Sequence, residues 1–223
     1  MDNGVSTIID PERCIGCGSC VEVCPSDTLT LRGEQAVVVG DRSLNCGHCE
    51  AVCPEGAVTV RALDQSTIQF DSFELDGTWQ PHGQANTSDL VELMASRRSC
   101  RNYKSEPVPR HVLTDLVKIG LTAPSGTNSQ RWQFTVLPNR DAVEAMGERV
   151  AKFYRILNWV SERRLLRIGD RWLAKGELNA YYEEFHDRIR DGLDEWERGG
   201  RERLFHGATA GILVSSREGA SCP

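Results

Sequence analysis

Of the nine cysteines in the chain, Cys14, Cys17, Cys20, Cys24, Cys46, Cys49 and Cys53 all fall between residues 14 and 53. In a reducing compartment such clustering favours a metal or redox cofactor over disulfides. The spacing then selects the cofactor. Cys14-Ile15-Gly16-Cys17-Gly18-Ser19-Cys20-Val21-Glu22-Val23-Cys24-Pro25 reads C-x2-C-x2-C-x3-C-P, the bacterial iron-sulfur ligand run. A zinc ribbon would present two separated C-x2-C pairs instead. Purely structural thiols fit poorly, because a stretch this short with few large apolar residues needs cofactors as staples.

Shifting this run by 29 positions lays Cys17 on Cys46, Cys20 on Cys49, Cys24 on Cys53, Pro25 on Pro54 and Gly18 on Gly47. The flanks agree as well: Leu29-Thr30-Leu31 falls on Val58-Thr59-Val60, an apolar-polar-apolar strand pattern in both halves. Residues 1–63 are therefore a tandem duplication, and they resemble the two-cluster bacterial ferredoxin module. In that module three thiolates on a tight loop clasp one cluster while the fourth cysteine of each run ligates the other. The resemblance thus gives Cys14, Cys17, Cys20 and Cys53 to one 4Fe-4S cluster, and Cys46, Cys49 and Cys24 to a second. The position matching Cys14 in the second run is Ser43. A hydroxyl is a harder and much less acidic ligand than a thiol, so three outcomes stay open for the second site. It holds a 3Fe-4S cluster, a labile 4Fe-4S cluster with Ser43, Asp41 or solvent as fourth ligand, or no cluster. His48, between two ligands, reads as a solvent-facing or neighbouring residue rather than a ligand.

A second constellation begins at Ser96-Arg97-Arg98-Ser99-Cys100-Arg101. It comes after a helical pattern expected from Ser88 or Asp89, with Leu90, Val91, Leu93 and Met94 at helical spacing. The three arginines could complement a helix dipole or face solvent. They could equally clamp a phosphate, since guanidinium forks match its oxygens two bonds at a time. Beyond them, Pro109 opens a helix with Val112, Leu113, Leu116 and Val117 on one face. A turn-rich loop, Ala123-Pro124-Ser125-Gly126-Thr127-Asn128-Ser129-Gln130, leads into the alternating strand Trp132-Gln133-Phe134-Thr135-Val136. The order S-R-R-S-x-R, V-P, A-P-S-G-x-N-S-Q-x-W-x-F resembles the N-terminal part of the nitroreductase-type FMN oxidoreductases. That resemblance implies that Arg97, Arg98, Ser99 and Arg101 hold the FMN phosphate and ribityl chain. It implies further that Pro124, Ser125 and Gly126 lie against the isoalloxazine across a dimer interface, with Asn128 shaping the turn. Arg131 stands where the family has proline, and Cys100 is expected to be a small buried packing residue.

Positioning these groups falls to the elements around them. Residues 141–205 are helical in pattern, with a stripe of Tyr182, Phe185, Ile189, Leu193 and Trp196 expected to pack in a core or subunit contact. Gly207 to Ser215 reads as a buried strand resembling the family's G-A-P-A strand, with Thr209 for proline. The family's later helix and flavin contacts would lie beyond Pro223, so residues 88–223 are expected to be the N-terminal portion of such a domain. Asp64 to Thr87 is polar and turn-rich and reads as a linker packed along a surface; Cys222 has no ligand partner nearby. The fold class is α+β: a ferredoxin-like iron-sulfur domain over 1–63, a linker over 64–87, and a partial nitroreductase-like domain over 88–223.

The chain has 223 residues and a net charge of -6, a balance that excludes a nucleic-acid binder held by bulk positive charge. No stretch approaches the roughly 20 apolar residues of a membrane span, and the amino end lacks a secretion signal, so a cytoplasmic location without membrane contact is expected. The leading expectation is an iron-sulfur flavoprotein oxidoreductase. It passes electrons from its cluster or clusters to FMN and on to a small nitroaromatic or quinone acceptor. The donor would be a redox protein or NAD(P)H, though no G-x-G-x-x-G turn is present, and the full-length form would be a homodimer. The rival is a non-enzymatic electron carrier or redox sensor with a degenerate flavin domain.

Overall fold

The computed structural model describes residues 4–63, 65–75, 84–173 and 176–216. The Gly77-to-Gly83 part of the expected linker and Cys222 lie outside the described residues. Among the described residues the secondary structure mixes helices with three two-stranded sheets, the α+β class expected.

The duplicated segment folds as two interleaved repeats. β1 (Thr7–Ile9) pairs antiparallel with β4 (Val58–Val60), so that Thr7 faces Val60 and Ile9 faces Val58. Between them, β2 (Leu29–Arg32) and β3 (Gln35–Val38) form a hairpin closed at Gly33-Glu34. Gly33 takes a left-handed φ of 61°, as two-residue hairpin turns require. Each repeat carries one helical turn, α1 (Ser19–Glu22) and α2 (His48–Ala51). Each turn starts from a left-handed glycine, Gly18 at φ 79° and Gly47 at φ 76°, a conformation that glycine adopts without steric cost. The buried core is Cys20, Leu29, Ala36 and Val58, with Ile9, Cys14, Val21, Cys49 and Cys53 packed against it. Burying Leu29 and Val58 contributes about 1.5–3 kcal/mol each. Cysteines make up much of the rest, so thiol chemistry is built into the packing itself.

Two compact units partition the chain. The first holds, among the described residues, 4–75, 115–133 and 215–216. In it the segment after β4 is pinned and does not hang free. The Asp115 carboxylate, 2% exposed, accepts the backbone N–H groups of Asp71 (3.0 Å) and Ser72 (2.7 Å). Lys118 donates to the Gln69 carbonyl at 2.6 Å, and Phe70 stacks on Phe73 with centroids 4.5 Å apart.

The second unit holds the described residues of 84–114 and 134–214. α3 (Thr87–Ser96) forms where its helical spacing predicts, yet all its apolar residues are exposed, Leu93 at 70% and Met94 at 66%. α4 (Arg110–Leu121) begins just after Pro109 and runs on into residues of the first unit, and β5 (Trp132–Leu137), the alternating strand, starts in the first unit and continues in the second. Among its described residues the long charged stretch forms four helices: α5 (Arg140–Ser161), α6 (Arg164–Leu173), α7 (Glu177–Glu184) and α8 (His186–Glu197). Asn139 caps α5 by accepting the Ala142 N–H at 2.9 Å, which satisfies one of the orphan donors of the first turn. The stripe predicted from Tyr182 to Trp196 is broken at Phe185, where α7 ends, α8 begins and the side chain is 45% exposed; only Leu193 is fully buried. β6 (Gly211–Ser216) pairs with β5. It is shorter than the predicted Gly207–Ser215 strand and is not buried: Val214 is 65% exposed, because this sheet has only two strands among the described residues.

Candidate functional site

Two small cavities lie in the duplicated segment. The first is lined by Cys14, Cys17, Cys20 and Cys53, with Gly16, Gly18 and Ala36 among its walls. The second is lined by Cys24, Cys46 and Cys49 together with Ser43. The fold thus brings together both cysteine sets that the resemblance implied, each with the fourth cysteine of a run crossing to the other repeat. Ser43 borders the second cavity where the duplication puts it. Its Oγ accepts the Asn45 N–H at 3.0 Å. Asp41 is exposed and does not line the cavity; His48 lines it but is exposed.

The donor set suits an iron-sulfur cluster. Backbone N–H groups aim at the sulfurs, Ala36 N–H at Cys14 Sγ (3.4 Å) and Ala57 N–H at Cys53 Sγ (3.2 Å), and such bonds tune cluster potentials. The Ser19 hydroxyl and N–H hold the Cys17 thiol below its ordinary range. Burial, and then the neighbouring Cys14 and Cys17 thiolates, push Cys20 up. In the second cavity burial raises Cys49, with Cys24 and Cys46 adding to it. Burial alone would also raise Cys24, but hydrogen bonds from Ser26, Thr28 and Leu29 outweigh it and hold that thiol low. Thiols that repel one another's ionised forms around a shared cavity call for a positively charged occupant, which iron supplies.

The arginine motif lies after α3 on an exposed segment. Arg98 donates to the carbonyls of Ala95 (2.8 Å) and Arg97 (3.0 Å), and Arg101 to that of Ser99 (3.4 Å). Among the described residues no carboxylate pairs with Arg97, Arg98 or Arg101, so the chemistry of the set fits a phosphate. Cys100 is exposed and hydrogen-bonds the Asn102 carbonyl at 3.3 Å. The expectation of a buried packing residue is corrected here, because no described residue of its unit covers this segment.

The proline-serine loop is in the first unit. Pro124 is exposed, and Ser125 Oγ accepts the Gln130 N–H at 2.9 Å. Gly126–Asn128 forms a single tight turn, with Thr127, Asn128 and Gln130 at left-handed φ of 52°, 51° and 46°. The Asn128 amide donates to the carbonyls of Leu44 (2.9 Å) and Asn45 (3.0 Å), the loop beside the second cavity. No local pattern in the sequence signals that contact. Nor does periodicity announce β1 and β3, although the glycine turn at Gly33 between two apolar runs marks the hairpin.

Residues 94–220, more than half of the chain, match the model of the nitroreductase family. The chain belongs to that family. Ahead of this nitroreductase region, residues 7–30 and 44–57 match models of the 4Fe-4S binding domain. The first match contains Cys14, Cys17, Cys20 and Cys24; the second contains Cys46, Cys49 and Cys53 and starts just after Ser43. Among curated relatives, the chain is 33% identical over 88 residues to iodotyrosine deiodinase 1 of Rattus norvegicus, covering 40% of this chain and 29% of that protein. It is 34% identical over 130 residues to the iodotyrosine dehalogenase 1 homolog of Caenorhabditis elegans, covering 54% and 38%. It is also 29% identical over 66 residues to a Methanothermobacter thermautotrophicus protein provisionally named NADH dehydrogenase/NAD(P)H nitroreductase, covering 30% and 35%. The chain therefore spans about a third of the length of these relatives. No solved structure matches it. Among the described residues no helix is long and apolar enough to cross a membrane.

Proposed function

We propose that this chain is the iron-sulfur and N-terminal flavin portion of an oxidoreductase. It takes electrons singly at residues 1–63, gathers them on FMN held by residues 88–223, and reduces a small organic acceptor by two electrons. The observation that carries this reading is the pair of thiol-lined cavities in a chain whose remainder is of nitroreductase type. A flavin, when bound, converts between one-electron and two-electron carriers; the donor is oxidised, the acceptor reduced, and protons come from solvent.

The chain's own residues supply binding and placement. Cys14, Cys17, Cys20 and Cys53 hold one 4Fe-4S cluster. Cys24, Cys46 and Cys49 hold a second, either 3Fe-4S or a labile 4Fe-4S, with Ser43 at the fourth corner. Arg97, Arg98, Ser99 and Arg101 clamp the FMN phosphate, while Pro124, Ser125, Gly126 and Asn128 form the turn that faces the ring. The segment 64–87 links the two regions. A redox protein or NAD(P)H is the donor, the acceptor is of nitroaromatic or quinone type, and the working form is a cytoplasmic homodimer. Because two relatives are named for removing iodine or halogen from tyrosine, an iodinated phenol belongs in the same panel of acceptors.

Anaerobic iron, sulfide and flavin stoichiometry on one sample tests the reading. Flavin together with iron supports the enzyme; iron and sulfide without flavin leaves an electron carrier or redox sensor. Arg97→Ala should weaken flavin retention by about tenfold or more, the worth of a charge-assisted bond, while iron per chain stays constant. Unchanged flavin affinity would remove the clamp from the scheme.

A further inference from the structure

The two carbonyls that Asn128 engages belong to Leu44 and Asn45, the residues between Ser43 and Cys46 in the second cysteine loop. Each amide hydrogen of Asn128 has its own acceptor, and a carbonyl can only accept, which fixes the amide's orientation. The same loop is held from its other side: Asn45 Oδ1 accepts from the Ser6 hydroxyl (2.9 Å) and its Nδ2 donates to the Gly4 carbonyl (3.1 Å). Asn128 in turn sits on a turn braced by Asn128 N–H to Ser125 O and Ser129 N–H to Gly126 O, both 3.0 Å. Holding a β-branched residue, Thr127, at φ 52° costs backbone energy that surrounding contacts must offset. In the first repeat the matching carbonyls are those of Ile15 and Gly16, and no side chain among the described residues donates to either. The bridge is specific to the three-cysteine site.

We propose that Asn128 is a positioning residue that fixes the three-cysteine loop to the Pro124–Gln130 turn, and that charge therefore passes to the flavin by way of the second site. This rests on the flavin reading above. The four-cysteine site, which has no such bridge, is the more remote of the two in the relay, receiving electrons first. The side chain's donors are committed to peptide carbonyls, so its part in holding FMN is limited to its Oδ1 and to the shape of the turn.

The test compares the full chain with Asn128→Asp, nearly isosteric but without donors, and Asn128→Ala, each loaded anaerobically with iron, sulfide and FMN. Hydrogen exchange at residues 44–47 and 125–130 should rise about tenfold, the effect of losing one or two ordinary hydrogen bonds, while exchange at residues 14–20 stays put. In the loaded protein, rapid mixing with dithionite should give bleaching of the bound flavin slowed about tenfold in both variants, the rate being read only from molecules that carry both iron and flavin. Unaltered exchange at residues 44–47 would overturn the tether. Raised exchange with unaltered bleaching would overturn the second site as the exit for charge. Should the unsubstituted chain bind iron but no FMN, the flavin reading and the relay built on it both fail, and the exchange result alone decides the tether.

Discussion

The two thiol cavities are products of one duplicated design, yet they are braced in different ways. At the first, Gly16 has a φ of 67°, and a Cβ built on it would lie 2.2 Å from the Glu34 carbonyl oxygen. The hairpin of its own repeat presses directly on the cysteine loop. At the second, the equivalent residue is Asn45, also left-handed at φ 49°. Its side chain occupies the space that the first repeat denies, and uses it for bonds to Gly4 and Ser6. Residues 115–133 add Asn128 from outside the repeat. The first site is thus closed by backbone contact within the module, and the second by side-chain hydrogen bonds from several places. A site with four thiolates and a rigid wall is suited to permanent occupancy. One with three thiolates, a serine and an external brace is suited to communicating with the rest of the protein.

An exchange of the two residues breaks this comparison most sharply. Gly16→Asn forces a side chain through the Glu34 carbonyl and should cost about 3 kcal/mol or more, enough in a small module to abolish iron at the four-cysteine site. Asn45→Gly keeps the left-handed backbone and loses only the side-chain bonds, about 1–2 kcal/mol. Iron content and urea midpoints of the two variants should therefore differ widely. Equal losses would mean that the two loops are braced alike.

Ser43→Cys probes the ligand difference directly. The Ser43 hydroxyl now caps the Asn45 N–H, and a thiol there would complete the pattern of the first site. Iron should rise by about one atom per chain if the second site is short of a corner, with a changed electron paramagnetic resonance signal and little change in stability. No rise in iron means that the site already holds its full complement or cannot take one.

The ligand sets are legible in the sequence because the spacing of Cys14, Cys17 and Cys20 is a local, covalent fact, and the 29-residue shift makes the second set visible. β2 and β4 are legible from apolar alternation over three residues. β1 and β3 are not, since Thr7–Ile9 is too short to show a period and Gln35–Val38 makes sense only as the partner of β2. Asn128 stands out for its turn, but its partners lie more than 80 residues away, and nothing near it in the chain encodes them. Cys100 and the Gly207–Ser215 strand depart from expectation for a common reason: residue type and pattern report what burial would suit, whereas coverage depends on which neighbours are present.

The smallest expected effect concerns how the second repeat is tied to the chain beyond it. Leu63 packs over Gly47, its Cδ1 lying 2.5 Å from where a Cβ would be, and the chain then runs to Asp71 and Ser72, which the Asp115 carboxylate holds. The Ser72 hydroxyl first, then the N–H groups of Asp71 and Ser72 and the charge of Lys118, keep that carboxyl below its usual range against the opposing effect of burial. A carboxylate whose folded value is depressed contributes stability that is present above the unfolded value, about 3.9, and lost as pH falls through the folded one. Asp115→Asn should lower the urea midpoint at neutral pH, with iron leaving the three-cysteine site before the four-cysteine one. The gap between the two proteins should close as the pH is taken down through the carboxylate range. A gap that is constant with pH would show that the carboxylate's charge plays no part. Simultaneous loss of iron from both sites would show that the second repeat is no more dependent on residues 115–133 than the first.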